Sequence, residues 1–173
     1  MTERRWFGLK AGASSWMWLS LAVMGLDRWS KLLIVERFSL YDSMAVLPIL
    51  DITRLHNTGA AFSFLAGASG WQRWFFTGLG VIVSIAIFVW LRRLPARGHQ
   101  LLSAGLALIL GGALGNVIDR VQWGYVVDFI HVHYERWYFP AFNVADSAIT
   151  VGAGLLILDA LLESVRAKRH DTE

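Results

Sequence analysis

The sequence predicts a membrane all-α protein, a bundle of four transmembrane helices with a small extracytoplasmic β-cradle. Hydrophobic residues make up 55% of its 173 residues and charged residues only 17%, which is too apolar for an ordinary soluble domain of this size. Four stretches approach the roughly 20 residues with which a helix crosses a bilayer. These spans are residues 14–35, 71–91, 101–118 and 144–162.

The composition also excludes several kinds of chemistry. Because the chain has no cysteine, it cannot form a disulfide framework, a zinc-thiolate site or a cysteine nucleophile. The net charge of +3 does not indicate nucleic-acid binding, since the basic residues stand in short runs beside apolar segments. The A-x-A-like element Ala11-Gly12-Ala13 precedes the first apolar run, so we predict that the first span is not cleaved.

The distribution of basic residues predicts the orientation in the membrane. Nine of the 16 Lys and Arg residues lie in the N-terminal tail, in residues 92–99 and in the C-terminal tail. By the positive-inside rule these segments are cytoplasmic, so both termini face the cytoplasm. Residues 36–70 and 119–143 then form two outer segments, which are the expected seat of function.

The outer segments predict a small β structure. Residues 49–55 and 125–130 are β-prone, and near lipid their backbone groups must pair, so we expect a small sheet and a short interfacial helix. With no internal repeat or linker, residues 1–173 are expected to form a single domain. Gly111 and Gly115 have the spacing of close helix contacts, which we interpret as packing within one chain rather than dimerisation.

Ionisable residues inside a span need a partner or a purpose, because each costs on the order of 3 kcal/mol in the membrane. Asp27 and Lys31 lie i,i+4 in the first span, which indicates an ion pair. Two further groups each share a helical face: Asn116, Asp119 and Arg120 after the third span, and Asn143 and Asp146 at the start of the fourth. With both termini inside, all three groups meet at the outer interface.

Two carboxylates in this region indicate catalysis. Asp146 alone has a structural interpretation, because Asn143 can cap the fourth helix and a carboxylate three residues later complements the helix dipole. Asp128, within the apolar run 126–130, has no structural role of that kind. Two carboxylates in a low-dielectric site share one proton, and an aspartic dyad uses that state to activate water against an amide.

Other chemistries are weaker alternatives. Gly67-Ala68-Ser69-Gly70 matches a rhomboid-type serine protease string, but no span contains a histidine to act as base. A Ser30-Lys31 dyad is disfavoured because adjacent helical residues point about 100° apart. His131 and His133 lack a third metal ligand, so a polar interfacial face is the better interpretation. From another class, a small ion or proton transporter would also use intramembrane Asp and Lys residues.

Five sequence blocks contain most of these polar residues. They are Asp27-Arg28-Trp29-Ser30-Lys31, Asn57-Thr58-Gly59-Ala60-Ala61-Phe62, residues 111–120, Val127-Asp128-Phe129 and Phe142-Asn143-Val144-Ala145-Asp146. In this order and with this topology, they resemble the bacterial lipoprotein signal peptidases, also called signal peptidase II. The resemblance covers nearly the whole chain.

The resemblance implies a fold of four transmembrane helices, a β-cradle and a short interfacial helix. It implies that Asp128 and Asp146 are the catalytic dyad. The remaining motif residues would support the site or contact substrate, and these are Asp27, Lys31, Asn57, Asn116, Asp119, Arg120 and Asn143.

The implied substrates are lipid-modified prolipoproteins, cleaved just before a cysteine that carries a diacylglyceryl group. The implied location is the bacterial cytoplasmic (inner) membrane, where the site lies near the periplasmic face and membrane lipid surrounds the chain. We expect a monomer, with no cofactor, no metal and no nucleic-acid partner. Residues 60–65 are expected to close over the site.

Overall fold

A computed structural model describes residues 13–59, 70–95 and 97–170. A 3₁₀ turn, Ala13–Trp16, leads into the first of four long helices. The helices are α1 (Met17–Arg37), α2 (Trp71–Arg93), α3 (Gln100–Gln122) and α4 (Val144–His170). The strands are β1 (Ser43–Leu47), β2 (Leu50–Asn57), β3 (Val126–Tyr134) and β4 (Trp137–Tyr138).

Three of the described helices, α2, α3 and α4, are long and apolar enough to cross a membrane. The first helix, α1, has 21 residues, a length that also suffices. It differs from the others because its C-terminal half carries Asp27, Arg28 and Lys31. The helical, membrane-type character predicted from the sequence is therefore confirmed, and the role of α1 depends on where those three charges lie.

The helices extend beyond the apolar stretches that predicted them. α3 continues to Gln122, so that Asp119 and Arg120 lie within the helix instead of following it. α4 likewise continues to His170. Hydropathy marks the residues that suit lipid, whereas backbone hydrogen bonds let a helix run on into polar sequence. The described residues of segments 36–70 and 119–143 form no interfacial helix. Residues 60–69, where we also predicted closure over the site, lie outside the described residues.

The predicted sheet is confirmed as four antiparallel strands in the order β1-β2-β3-β4. In the central pair, Asn57 lies opposite Val126 and Leu55 opposite Asp128. Val127 and Phe129 of β3 pack with Ile34 of α1 in a small buried cluster. The sheet is thereby fixed to the end of α1, with the last residue of β2 beside the first of β3.

α3 is the central helix and packs against α1, α2 and α4. Its glycines are necessary for this packing. A Cβ on Gly111 would lie 2.6 Å from the backbone oxygen of Ser20 in α1, and one on Gly115 would lie 2.7 Å from Oδ2 of Asp27. A Cβ on Gly112 would collide with the backbone oxygen of Ala145 in α4. The predicted close helix contact at these glycines is confirmed within the chain.

We predict that Gly112→Ala lowers the free energy of unfolding by about 1–3 kcal/mol, because overpacking against backbone forces α3 and α4 apart. Thermal unfolding in detergent measures the effect. The matched control is Gly154→Ala in α4, where a new Cβ meets nothing within 4 Å and alanine favours the helix by roughly 0.5–1 kcal/mol. If Gly112→Ala is as stable as the control, the close contact is not a constraint.

Candidate active site

Asp128 lies on β3 with its carboxylate held at both oxygens. The side-chain amide of Asn57 donates to Oδ2 at 3.0 Å and that of Asn143 donates to Oδ1 at 2.7 Å. Only 3% of Asp128 is exposed. Because Asn57 ends β2 and Asn143 directly precedes α4, the carboxylate joins the sheet to the last helix.

The environment of Asp128 makes its carboxyl group hard to ionise. Burial raises the pKa of Asp128 to about 7, and the nearby charge of Asp146 contributes in the same direction. The hydrogen bonds from Asn57 and Asn143 and the charge of Lys31 oppose this rise, since each favours the carboxylate. Near neutral pH the group therefore holds a proton more readily than an exposed aspartate does.

Asp146 lies in the first turn of α4 and is fixed by two asparagines. Its Oδ1 accepts a hydrogen bond from the side-chain amide of Asn116 at 2.8 Å. Its backbone N–H donates to Oδ1 of Asn143 at 2.9 Å, which confirms that Asn143 caps the helix. The same Asn143 side chain donates to Asp128, so one residue links the carboxylate of Asp128 to the backbone of Asp146.

Lys31 is fully buried and uses its ammonium group on three partners. Its Nζ lies 2.7 Å from Oδ2 of Asp27 and 2.8 Å from Oδ2 of Asp119, and it donates to Oδ1 of Asn116 at 3.0 Å. An ammonium group has three N–H donors, and three oxygen atoms lie within 3.0 Å of it. The predicted Asp27–Lys31 pair is confirmed. Together with Asp119 it forms a charged triad, Asp27–Lys31–Asp119.

The two carboxylates around Lys31 also hold backbone at the site. Oδ1 of Asp27 accepts the N–H of Ala145 at 2.8 Å, which places a negative charge at the positive end of the α4 dipole. Oδ2 of Asp119 lies 3.5 Å from the N–H of Val127. These contacts tie the triad to the elements that carry the two candidate catalytic residues.

Arg120 extends from α3 toward the loop after β2. Its guanidinium donates to the backbone oxygen of Gly59 at 2.8 Å and to that of Asn116 at 3.4 Å, and it lies 5.5 Å from the ring centroid of Phe76. Its Nε is buried and has no hydrogen-bond partner among the described residues. Arg120 thus connects α3 to the point where residues 60–69 begin.

A cavity of about 590 Å³ lies between α2, α3, α4 and the segment before α4. Its wall is mostly apolar and includes Leu79, Val83, Ile109 and Ile149. Its polar members are Ser147, Thr150 and the amides, guanidinium and carboxylates described above, which belong to Asn57, Asn116, Arg120, Asp128 and Asp146. An apolar cavity with a few convergent polar groups is typical of a binding or active site.

All nine predicted site residues meet in one network of hydrogen bonds and ion pairs. The sequence did not predict two arginines that bind the ends of helices α1 and α3. Arg54 of β2 donates to the backbone oxygens of Val35 and Phe38 at the end of α1. Arg73 of α2 donates to those of Arg120 and Val121 at the end of α3. Only the folded chain brings these partners together.

The residues of the competing motifs make structural contacts wherever the structure describes them. Ser30 donates to the backbone oxygen of Asp27, as expected for a residue that satisfies its own helix. His131 and His133 both lie against the ring of Tyr138. Across residues 13–59, 70–95 and 97–170, no three acidic or histidine side chains are grouped as metal ligands. Most of the motif at residues 67–70 lies outside the described residues.

Comparisons with known proteins agree with this architecture. A solved structure described as a bacterial membrane enzyme superposes with a TM-score of 0.77 at 34% identity, covering 90% of this chain and 92% of that one. The lipoprotein signal peptidase of Acinetobacter baylyi is 51% identical over 159 residues, which is 91% of this chain and 88% of the relative. That of Pseudomonas aeruginosa is 53% identical over 150 residues, with 86% and 88% covered.

The family model described as signal peptidase (SPase) II matches residues 19–162. This range contains every candidate site residue and reaches from α1 into α4. This chain therefore belongs to the signal peptidase II family.

Proposed function

We propose that this chain is an aspartic endopeptidase that removes signal peptides from diacylglyceryl-modified prolipoproteins. Cleavage falls just before the lipid-modified cysteine. Membership in a family of signal peptidases supports the reaction class, and favours it over the transporter alternative. The observation that carries the aspartic mechanism is the link through Asn143, whose side chain contacts both Asp128 and the start of the helix that bears Asp146.

In the proposed mechanism the two aspartates share one proton. Burial raises the pKa of Asp128 to about 7, so that the pair keeps one proton near neutral pH while its other carboxyl group carries the negative charge. The ionised aspartate takes a proton from water as the water oxygen attacks the carbonyl carbon, while the protonated aspartate donates a hydrogen bond to the carbonyl oxygen. When the C–N bond breaks, the departing amine takes a proton from the pair. The products are a signal peptide carboxylate and the free amino group of the cysteine.

The cavity suits this substrate. A signal peptide has an apolar central region, and the cavity wall between α2, α3 and α4 is mostly apolar. Lys31 does not compete with the substrate for hydrogen bonds to the two aspartates, since its ammonium group is already bound to Asp27, Asp119 and Asn116. The substrate amide is therefore the group most suited to the carboxylates at the cavity wall.

We further propose that α1 is a fourth transmembrane span, so that the chain forms a single four-span domain of the inner membrane that acts as a monomer. Asp27 and Lys31 are buried, which removes them from lipid and reduces the cost of inserting them. The exposed face of α1 is apolar and includes Leu21, Leu26 and Trp29. Both termini then lie in the cytoplasm and the dyad near the periplasmic face.

Asp128→Asn and Asp146→Asn are each expected to lower kcat by about 10⁴-fold or more, because each removes one half of the proton exchange on which water attack depends. The measurement is release of signal peptide from a purified diacylglyceryl-modified prolipoprotein. Asp51→Asn, at the far end of the sheet, is the matched control and is expected to keep wild-type activity. Full activity in either dyad variant would refute the aspartic mechanism.

The rate is expected to fall as pH rises through about 7, because the pair then loses its shared proton. The amide of Asn57 stabilises the charged form of Asp128, so Asn57→Ala raises the pKa and moves the alkaline limb of kcat/KM to higher pH. Profiles of the wild type, Asn57→Ala and the Asp51→Asn control test this. A shift to lower pH, or no shift, would contradict the contribution of Asp128 to the shared proton of the pair.

Because the chain has no cysteine, single cysteines report topology directly. Ser15→Cys and Tyr41→Cys stand near opposite ends of α1, and His99→Cys precedes α3. In intact spheroplasts a membrane-impermeant maleimide is expected to label Tyr41→Cys alone, and the other two only after permeabilisation. Labelling of Ser15→Cys and Tyr41→Cys from the same side would show that α1 does not cross.

A further inference from the structure

A second cavity, of about 430 Å³, lies on the sheet side of Asp128. Asp128 and Asn57 belong to the walls of both cavities. The remaining wall differs in chemistry, because the second cavity is lined by His56, His131 and Tyr138 where the first is lined by aliphatic side chains. A chain passing Asp128 can therefore leave a mostly apolar space and enter a more polar one.

The segment Phe139-Pro140-Ala141 separates the two cavities and contributes to both walls. It is fixed to β3 at each end. The N–H of Phe139 donates to the backbone oxygen of Val132 at 2.9 Å, and that of Phe142 donates to Ile130 at 3.0 Å. Between these points Pro140 has no N–H to pair with the strand. The segment is thus an arch of fixed position beside Asp128.

The wall of the second cavity offers flat rings with polar edges. The ring of His56 stacks on Tyr125 with centroids 3.7 Å apart. Burial lowers the pKa of His56, and the charge of Arg54 lowers it further, so the ring is neutral near pH 7. The ring centroids of Tyr138 and His131 lie 5.4 Å apart. Such rings bind peptide through apolar faces and hydrogen-bonding edges.

Tyr41 lines the same cavity from the turn between α1 and β1. Its φ of 71° lies in the left-handed region, which a residue with a bulky side chain rarely adopts. The N–H of Tyr41 donates to the backbone oxygen of Arg54 at 2.9 Å and holds the turn in that conformation. Its side chain is nevertheless 75% exposed. Backbone strain of this kind often occurs at functional sites.

We propose that the second cavity is the binding subsite for the peptide segment that follows the scissile bond of the prolipoprotein. This inference rests on the proposed function. A bond held at Asp128 has the apolar signal peptide on one side and the extended, water-exposed start of the mature lipoprotein on the other. The first cavity suits the apolar signal peptide, and the second cavity suits the start of the mature lipoprotein. The arch lies between the two cavities.

The test compares two diacylglyceryl-modified precursors with the same signal peptide. The short precursor ends in a cysteine amide, and the long one continues with an extended polar segment. The wild type is expected to have the higher kcat/KM on the long precursor. His131→Ala and Tyr138→Ala are each expected to lower the long-to-short ratio about three- to tenfold through KM, because each removes ring contacts to the added segment.

Tyr134→Ala is the matched control. Tyr134 ends β3, is exposed and lies outside the wall of the second cavity, so its loss is expected to keep the wild-type ratio. Thermal unfolding in detergent verifies that each variant is folded. If folded His131→Ala and Tyr138→Ala both keep the wild-type ratio, the subsite is refuted and the peptidase stands. If the wild type cleaves neither precursor, the proposed function fails and the subsite fails with it.

Discussion

The buried ammonium group of Lys31 is the interaction on which the arrangement of the site depends. It binds Asp27 of its own helix and Asp119 of α3. Through these carboxylates it fixes the N–H groups of Ala145 and Val127 at the starts of α4 and β3. A buried ion pair adds little to stability by itself, but loss of one partner leaves an uncompensated charge that costs about 3–5 kcal/mol. The elements around Lys31 therefore have little freedom to move independently.

Space for this charged group is created by the absence of side chains on α3. Gly115 leaves room for the carboxylate of Asp27, and Gly111 lets the backbone of α1 approach near Ser20. A longer side chain at either position would separate α1 from α3 and expose the charges of the triad to lipid. Close packing and charge burial are thus one constraint, since the small residues that bring the helices together also shield the ions that they carry.

Much of this site could be predicted from the sequence because its signals are local. Helical periodicity groups Asn116 with Asp119, and the capping pattern pairs Asn143 with Asp146. An isolated carboxylate in an apolar run identifies Asp128. Each of these inferences needs only a spacing or a composition, and each candidate then proves to be part of the network. The catalytic roles of the two aspartates stay predictions, because geometry shows proximity to polar partners and not turnover.

Long-range contacts could not be predicted in this way. Arg54 and Arg73 satisfy the ends of helices that are distant in sequence, and nothing in their local sequence distinguishes them from other surface arginines. In the sequence, residues 139–141 are only part of an aromatic run. Their position as an arch depends on backbone hydrogen bonds to β3 that the sequence does not indicate. For α1, three charged residues lower the hydropathy below that of an ordinary span. In the fold, two of them, Asp27 and Lys31, are buried and paired with each other.

The burial that raises the pKa of Asp128 makes its ionised form costly to the fold. Its pKa rises from 3.8 to about 7 on folding, so the folded state binds the proton more tightly than the unfolded chain. The stability that this group contributes is fully present below about pH 4 and is lost as pH rises through about 7. At 1.4 kcal/mol per pH unit, the loss is on the order of a few kcal/mol. Asn57 and Asn143 reduce it by donating to the ionised form. A fold optimised for stability alone would not keep an ionisable group at this position, which supports a functional reason for its retention.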